Sequence, residues 1–343
     1  MPDILRGIVV GLGGRARSWV NVCARSSDVE LVGYVEPVEE RRRAYAEQFQ
    51  IPEDRLFGSL EEAMNSVEAD FTLDVTPPAV HEEIATRSFD AGLHVLEEKP
   101  MSDRFEAAKR MVEAAEKAGR VFMITQNYRF GPVPRTTRRL LDEGVIGTPE
   151  VVSVGFYRPW ATRPGTHYTT MPYPLLTDMG IHHFDMLRYV LNREPIEVQA
   201  WTWNPSWGWH AGDAGHVAVI RFEGGLIVTH HALGCSVGKP SPWNGEWRIE
   251  GPEGSLTWED DHIFHTRSFP REKAERKEIP LDKLPLTGQE AILAEFVSAI
   301  REKREPECSG RDNLNSLAIV FAAIRSAEEK RAVRIEELNG HAR

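Results

Sequence analysis

Up to Ile124 the chain alternates short apolar runs with amphipathic stretches of helical period. The runs Ile8-Val9-Val10, Leu31-Val32-Gly33-Tyr34-Val35, Phe71-Thr72-Leu73-Asp74-Val75, His94-Val95-Leu96 and Val121-Phe122-Met123-Ile124 read as strands. Segments 15–24, 39–49, 80–91 and 104–118 read as the helices between them, with Gly92 and Gly119 where helix C-caps belong. This alternation predicts βαβ units, hence an α/β domain with a doubly wound parallel sheet of the Rossmann type, over residues 1–126.

Past Asn127 the period changes. Longer alternating runs, Val151 to Tyr157, Glu197 to Trp203, His216 to Phe222 and Leu226 to Ala232, predict an open, mostly antiparallel sheet. Glu223-Gly224-Gly225 and Gly251-Pro252-Glu253-Gly254 supply hairpin turns, the second between Trp247-Arg248-Ile249 and Leu256-Thr257-Trp258. Helices are expected over 176–191, 288–304 and 311–330, and residues 127–343 are assigned to a second, α+β domain for substrate binding and oligomerisation, whose final helix packs back on the first. The charged run Arg271 to Lys277 reads as a solvated strand edge or loop.

A chain of 343 residues is long enough for two cores without staples. Its formal charge of -11 opposes nucleic-acid and anionic-membrane partners, which require a basic face. Cys23, Cys235 and Cys308 lie far apart, as expected of a cytoplasmic protein without disulfides, and no leader or spanning segment is recognisable.

The segment Gly11-Leu12-Gly13-Gly14-Arg15-Ala16 joins the first predicted strand to the first predicted helix. In that context Gly11 serves a tight turn, Gly13 lets the backbone approach a pyrophosphate, and Ala16 allows close helix packing. Glu36, ending the next strand, suits ribose hydroxyls and repels a ribose phosphate, which favours NAD over NADP. Arg41, Arg42 and Arg43 read as a solvated helix face, although one of them would reach a phosphate if Glu36 turned away.

Oxidising a secondary alcohol needs a base for the hydroxyl proton and a cation for the developing alkoxide. Lys99, in Glu98-Lys99-Pro100 at a strand's carboxyl end, suits the second task. In Asp178-Met179-Gly180-Ile181-His182, the acid and the histidine are four apart and would share a helix face, so Asp178 would support His182 as the base. His183 points elsewhere and reads as structural, and adjacent histidines on a helix are poor co-ligands, so no metal is expected. His230 and His231 fall on opposite faces of a strand.

These motifs, in this order, together with Thr76-Pro77-Pro78, His81, Ala91-Gly92-Leu93-His94 and Gln126-Asn127-Tyr128-Arg129-Phe130, resemble the Gfo/Idh/MocA family of nicotinamide-dependent oxidoreductases over essentially the whole chain. The resemblance implies that Lys99 contacts the reacting hydroxyl and the nicotinamide ribose, that His182 is the general acid/base, and that Asp178 supports it. It implies cofactor contacts from Gly11, Gly13, Gly14, Arg15, Ala16, Glu36, Thr76, Pro77, His81, Glu98, Lys99 and Gln126. Asn127, Tyr128 and Arg129 match the segment facing substrate, Arg129 having an inter-domain salt bridge as its alternative role.

Seven of the nine tryptophans lie between Trp201 and Trp258. Indoles stack on sugar C–H faces, so Trp207, Trp209 and Trp243 in loops are platform candidates, whereas Trp201, Trp203 and Trp258 in strands suit packing or an interface. Segment 158–174 is a further substrate wall, through Trp160 and Tyr168. The expected activity is therefore NAD-dependent dehydrogenation of a ring hydroxyl of a sugar, sugar derivative or cyclitol. The alternatives are an NAD-dependent glycoside hydrolase working by transient oxidation and elimination, and a non-catalytic nucleotide-binding regulator. A homodimer or homotetramer through the second sheet is expected from the resemblance.

Overall fold

The computed structural model describes residues 4–267 and 274–338. The chain divides into two compact units, residues 1–127 with 286–314, and residues 128–285 with 315–343.

The first unit is built on a six-stranded sheet in the order β3-β2-β1-β4-β5-β6, with every pairing parallel. Its strands are β1 (Leu5–Val10), β2 (Val29–Val35), β3 (Leu56–Phe57), β4 (Phe71–Asp74), β5 (His94–Glu97) and β6 (Phe122–Ile124). Helices α1 (Gly14–Arg25), α2 (Glu39–Phe49), α3 (Leu60–Ser66), α4 (His81–Asp90) and α5 (Phe105–Ala118) connect them. The order reverses between β1 and β4, so the crevice that binds ligands in such sheets lies outside the carboxyl ends of these two strands.

The central strands are buried along their length, as Ile8, Val9, Phe71, Leu73, Val95 and Leu96 require. Segment 286–314, which the sequence reading assigned to the second domain, belongs to this unit. Helix α9 (Gly288–Glu302) sets Phe296 edge-on to Phe71 of β4 at 5.4 Å, and its flanks reach the first unit through Arg25–Glu290 and Arg301–Asp28, each 2.7 Å. An apolar helix with a matching apolar sheet face explains the reassignment.

The second unit carries a nine-stranded sheet in the order β14-β13-β12-β11-β7-β10-β9-β8-β15. Its strands are β7 (Val151–Tyr157), β8 (Pro195–Trp203), β9 (Gly215–Phe222), β10 (Ile227–Leu233), β11 (Glu246–Gly251), β12 (Gly254–Glu259), β13 (His262–Arg267), β14 (Arg276–Ile279) and β15 (Val333–Arg334). All pairings are antiparallel except β7 with β10. The charged run at 271–277 leads into edge strand β14, though residues 271–273 lie outside those described. Helices α6 (Pro132–Asp142), a single turn α7 (His167–Thr170) and α8 (Ile181–Leu191) belong here, and α10 (Gly310–Glu329) has its first residues in the other unit.

One face of this sheet carries exposed aromatic and aliphatic side chains among polar ones such as Gln199 and Arg248. Trp201 and Trp203 are 51% and 43% exposed, and Tyr157, Val151 and Ile227 are exposed in register on the same face. On the other face Trp247 and Trp258 are buried and stacked, ring centroids 4.2 Å apart.

Candidate functional site

At the carboxyl end of the parallel sheet, β1 ends in Gly11 at φ 87°, a backbone that only glycine adopts freely. A Cβ there would also lie 3.0 Å from the Val75 carbonyl oxygen, because the glycine turn passes directly over the end of β4. Gly13 is the N-cap of α1 and offers no side chain to the helix, whose first turn carries no acid. The space beside Gly13 and Gly14 is empty, with no atom within 4 Å of where a Cβ would stand. Free N–H groups, the positive end of a helix dipole and open room together make an anion seat. Ala16 is fully buried, as close helix packing demands.

Glu36 is buried at the end of β2 and accepts from the backbone N–H of Leu12 at 3.2 Å and of Val38 at 3.1 Å, which pins the glycine turn. Of the three arginines that follow, Arg42 donates to the Glu36 carbonyl and Arg43 pairs with Glu39 one turn away. They stabilise their own helix end, as a solvated face would.

Lys99 is half-buried just past β5, before a cis peptide to Pro100. Its neighbour Glu98 is buried, and Oε1 accepts from Trp19 Nε1 at 2.6 Å and from Arg15 Nε at 2.9 Å, both on α1. Glu98 and Arg15 thus tie the Lys99 turn to the glycine-rich helix. On the β4 side, Asp74 Oδ1 accepts from the Thr76 N–H and hydroxyl at 2.9 and 2.6 Å, fixing the turn that leads into Pro77. The structure brings Gly11, Gly13, Gly14, Arg15, Ala16, Glu36, Thr76, Glu98 and Lys99 to one end of one sheet.

His81 departs from the expected role. It is fully buried, with Nε2 2.8 Å from the Thr76 carbonyl and Nδ1 3.2 Å from the Met101 carbonyl, so its ring serves the two loops instead of lining a channel. Gln126, following β6, is also fully buried, but neither atom of its amide has a hydrogen-bond partner.

In the second unit, residues 175–180 form one π-helical turn that runs into α8. Asp178 lies in the wide turn and His182 in the α-helix, so the even four-residue spacing of a uniform α-helix, assumed from sequence, is replaced by a wider winding. Gly180 makes this turn: a Cβ would stand 2.9 Å from the Leu175 carbonyl oxygen and 3.1 Å from the Phe184 ring. His182 is buried and stacks on Tyr128, ring centroids 4.0 Å apart and planes 10° from parallel. Tyr128 in turn packs on the cluster of Phe156, Trp160, Leu175, Met179 and Ala232.

Two substrate candidates are structural instead. Arg129 is buried against Asp185 of α8, Nε to Oδ2 2.7 Å, with Ser316 Oγ also donating to Asp185 at 3.1 Å. This is a salt bridge, but inside one unit; it spans no domain boundary. Trp160 is 9% exposed, flanked by His210 and Tyr168, and works as core. Tyr168 stays exposed at 43%. Among the loop indoles, Trp207 and Trp243 are exposed, whereas Trp209 is half-buried and donates to the Trp160 carbonyl at 3.0 Å.

A buried row of imidazoles lies in the second unit with no pattern in the sequence to mark it. His183 Nδ1 meets His230 Nε2 at 3.0 Å, His230 Nδ1 meets His216 Nε2 at 2.9 Å, and His183 Nε2 donates to the Trp243 carbonyl at 2.9 Å. A carbonyl only accepts, so it fixes every tautomer along the row in the neutral form. Burial pushes His183 down to about 4, His216 to about 3, and His230 well below the usual imidazole range. Only the fold brings these three histidines into line. Among the described residues, no three His, Cys, Asp or Glu side chains are grouped to hold a metal ion.

This arrangement agrees with known proteins. A family model described as an oxidoreductase family with an NAD-binding Rossmann fold matches residues 5–126, and that family's C-terminal domain matches residues 134–257. The chain belongs to the GFO/IDH/MocA family. It is 29% identical to a 1,5-anhydro-D-fructose reductase of Ensifer adhaerens, over 96% of this chain and 98% of that protein. It is 27% identical to a myo-inositol 2-dehydrogenase of Thermotoga maritima, over 97% and 99% of the two chains. An Agrobacterium radiobacter oxidoreductase, crystallised with NAD+, L-tartaric acid and magnesium, superposes with a TM-score of 0.87 at 20% identity, covering 98% of this chain and all of that one, 100%. This chain is an NAD-binding oxidoreductase, and the open N-terminus of α1, the vacant space at Gly13 and Gly14, and the carboxylate of Glu36 fit that dinucleotide.

Proposed function

We propose that the protein is an NAD-dependent dehydrogenase for a ring hydroxyl of a sugar, sugar derivative or cyclitol. The carrying observation is the Glu98-Lys99 turn, where a half-buried lysine is tied through Glu98 to the helix that presents the phosphate seat. The nicotinamide supplies the acceptor for the hydrogen leaving the ring carbon. Lys99 donates to the reacting oxygen and stabilises its developing negative charge. His182 takes the hydroxyl proton, held in plane by Tyr128, with Asp178 supporting it from the preceding turn. Thr76, Pro77 and Gln126 contact the cofactor, and Asn127 and Tyr168 line the substrate side. Glu36 accepts from the ribose hydroxyls, which selects NAD over NADP.

The substrate class rests on relatives named for an anhydro sugar and an inositol, and on the exposed rings of Trp207, Trp243 and Tyr168. The open face bearing Trp201, Trp203 and Tyr157 suits pairing with a second copy as a homodimer or homotetramer, which the mass in solution tests. Three buried thiols without disulfides suit a reducing cytoplasm, and among the described residues no helix is long and apolar enough to cross a membrane.

Incubation with NAD and a panel of free sugars and inositols tests the reading. Net formation of reduced nicotinamide with at least one free polyol is expected. Release of a glycosidic leaving group without net reduction would replace the dehydrogenase by a redox-assisted hydrolase.

A further inference from the structure

Beneath the Lys99 turn lies a cluster of three fully buried ionisable groups that the chemistry above does not use: Asp74, His81 and Glu97. Asp74 ends β4 and Glu97 ends β5, and the two are register partners in adjacent parallel strands. His81 is the first residue of α4. Its two ring nitrogens face carbonyl oxygens of two different loops, Thr76 at 2.8 Å and Met101 at 3.2 Å, and Nδ1 also lies 3.5 Å from Glu97 Oε1. Carbonyl oxygens only accept, so both contacts are hydrogen bonds when both ring nitrogens carry hydrogen.

Burial pushes both carboxyls up, but Asp74 has the His81 ring and two donors from Thr76 to hold its anion. Glu97 has no hydrogen-bonding donor at either oxygen and is repelled by Asp74, which drives it further up. Burial thus disfavours the charged form of both acids, Glu97 having no partner to offset it and Asp74 being helped by Thr76.

We propose that His81 is a positioning residue that clasps the Thr76-Pro77 loop to the Lys99-Met101 loop, with Asp74 and Glu97 as its buried counter-groups. The inference rests on the role of Lys99 proposed above, since the clasp sets where that lysine meets the reacting oxygen. The loop on the other side of Lys99 is already held by Glu98 to α1, so the clasp supplies the second restraint that a fixed lysine needs. The glycine turn and the α1 N-terminus meet it only through Gly11 and Glu98.

The test replaces His81 by Phe, which fills the space without donors, and by Gln, whose two N–H groups share one nitrogen where the ring offers two. In His81→Phe, amide hydrogen exchange is expected to quicken most in residues 76–81 and 98–103 and less in residues 11–25, which meet those loops only through Gly11 and Glu98. In the same variant kcat is expected to fall on the order of a hundredfold, with a much smaller rise in KM for NAD through the loosened Thr76-Pro77 loop, and His81→Gln lies between it and the wild type. Glu97→Gln, matching a neutral acid in shape, is expected to keep the slow exchange of both loops. Unchanged exchange in both loops for His81→Phe and His81→Gln would overturn the clasp, as would a loss of NAD binding equal to the loss of turnover. If the wild type turns over no polyol, the substrate reading fails, and the exchange experiment still decides the clasp.

Discussion

Arg129 and Gly180 show how much a single side chain in the second unit can be asked to do. Arg129 and Asp185 sit in a helix-packed interior where neither ion can be hydrated, so removing one strands the other. Arg129→Met is expected to destabilise by about 3–5 kcal/mol, read as a fall in Tm, without a selective rise in KM. Gly180→Ala pushes a methyl group against the Leu175 carbonyl and Phe184, and about 1–3 kcal/mol of destabilisation is expected, measured by denaturant unfolding. Residue types in sequence singled out Lys99 and Glu36 as candidates, because few structural duties call for a lysine or glutamate at a strand's end. They misled at Arg129, Trp160 and His81, where polar or aromatic identity serves buried pairing. The partner that decides each case, Asp185, His210 or Glu97, is brought near only by the fold.

At the scale of elements, the glycine-rich turn and α1 form the phosphate seat, and the vacant space beside Gly13 makes a sharp prediction possible. Gly13→Ala places its Cβ with no protein atom within 4 Å, so Tm of the free protein should fall only slightly, by the loss of a glycine N-cap, whereas NAD binding by fluorescence titration should weaken at least about tenfold because the methyl group occupies the pyrophosphate's place. A large fall in the Tm of the free protein would show that the glycine serves packing instead. Most strands and helices were legible from period alone: α2 and β7 begin and end where the pattern predicts. The two-residue β3, the short α3 and α6 escaped because the first two are too brief for a period and Pro132 and Pro134 disguise the start of α6. The π turn at 175–180 escaped because no pattern of apolar residues distinguishes it from an α-helix.

For the whole molecule, the neutral imidazole row ties stability to pH. His183, His216 and His230 titrate lower folded than unfolded, so the unfolded chain binds the extra protons. Their contribution is fully present above about pH 6.5 and is lost as pH falls toward the folded values of about 4 for His183 and about 3 for His216. Each proton steepens the loss by roughly 1.4 kcal/mol per pH unit. Buried Asp74 and Glu97, both pushed up, act with the opposite sign, so the row is read by comparison: in denaturant unfolding from pH 8 to 4, the loss of stability on acidification should be smaller in His216→Gln than in the wild type. Domain organisation was legible in its change of period near Asn127, but not in the return of 286–314 to the first unit, since an apolar helix carries no mark of which sheet it will cover.

The most direct test of the central claim follows a deuterium label at the reacting carbon of a free sugar or inositol that the protein oxidises. The wild type should deliver that deuterium to NAD with net reduction, and Lys99→Ala should bind NAD yet deliver none. Deuterium transfer at the wild-type rate in Lys99→Ala, or no net transfer to NAD from any free polyol by the wild type, would contradict the account.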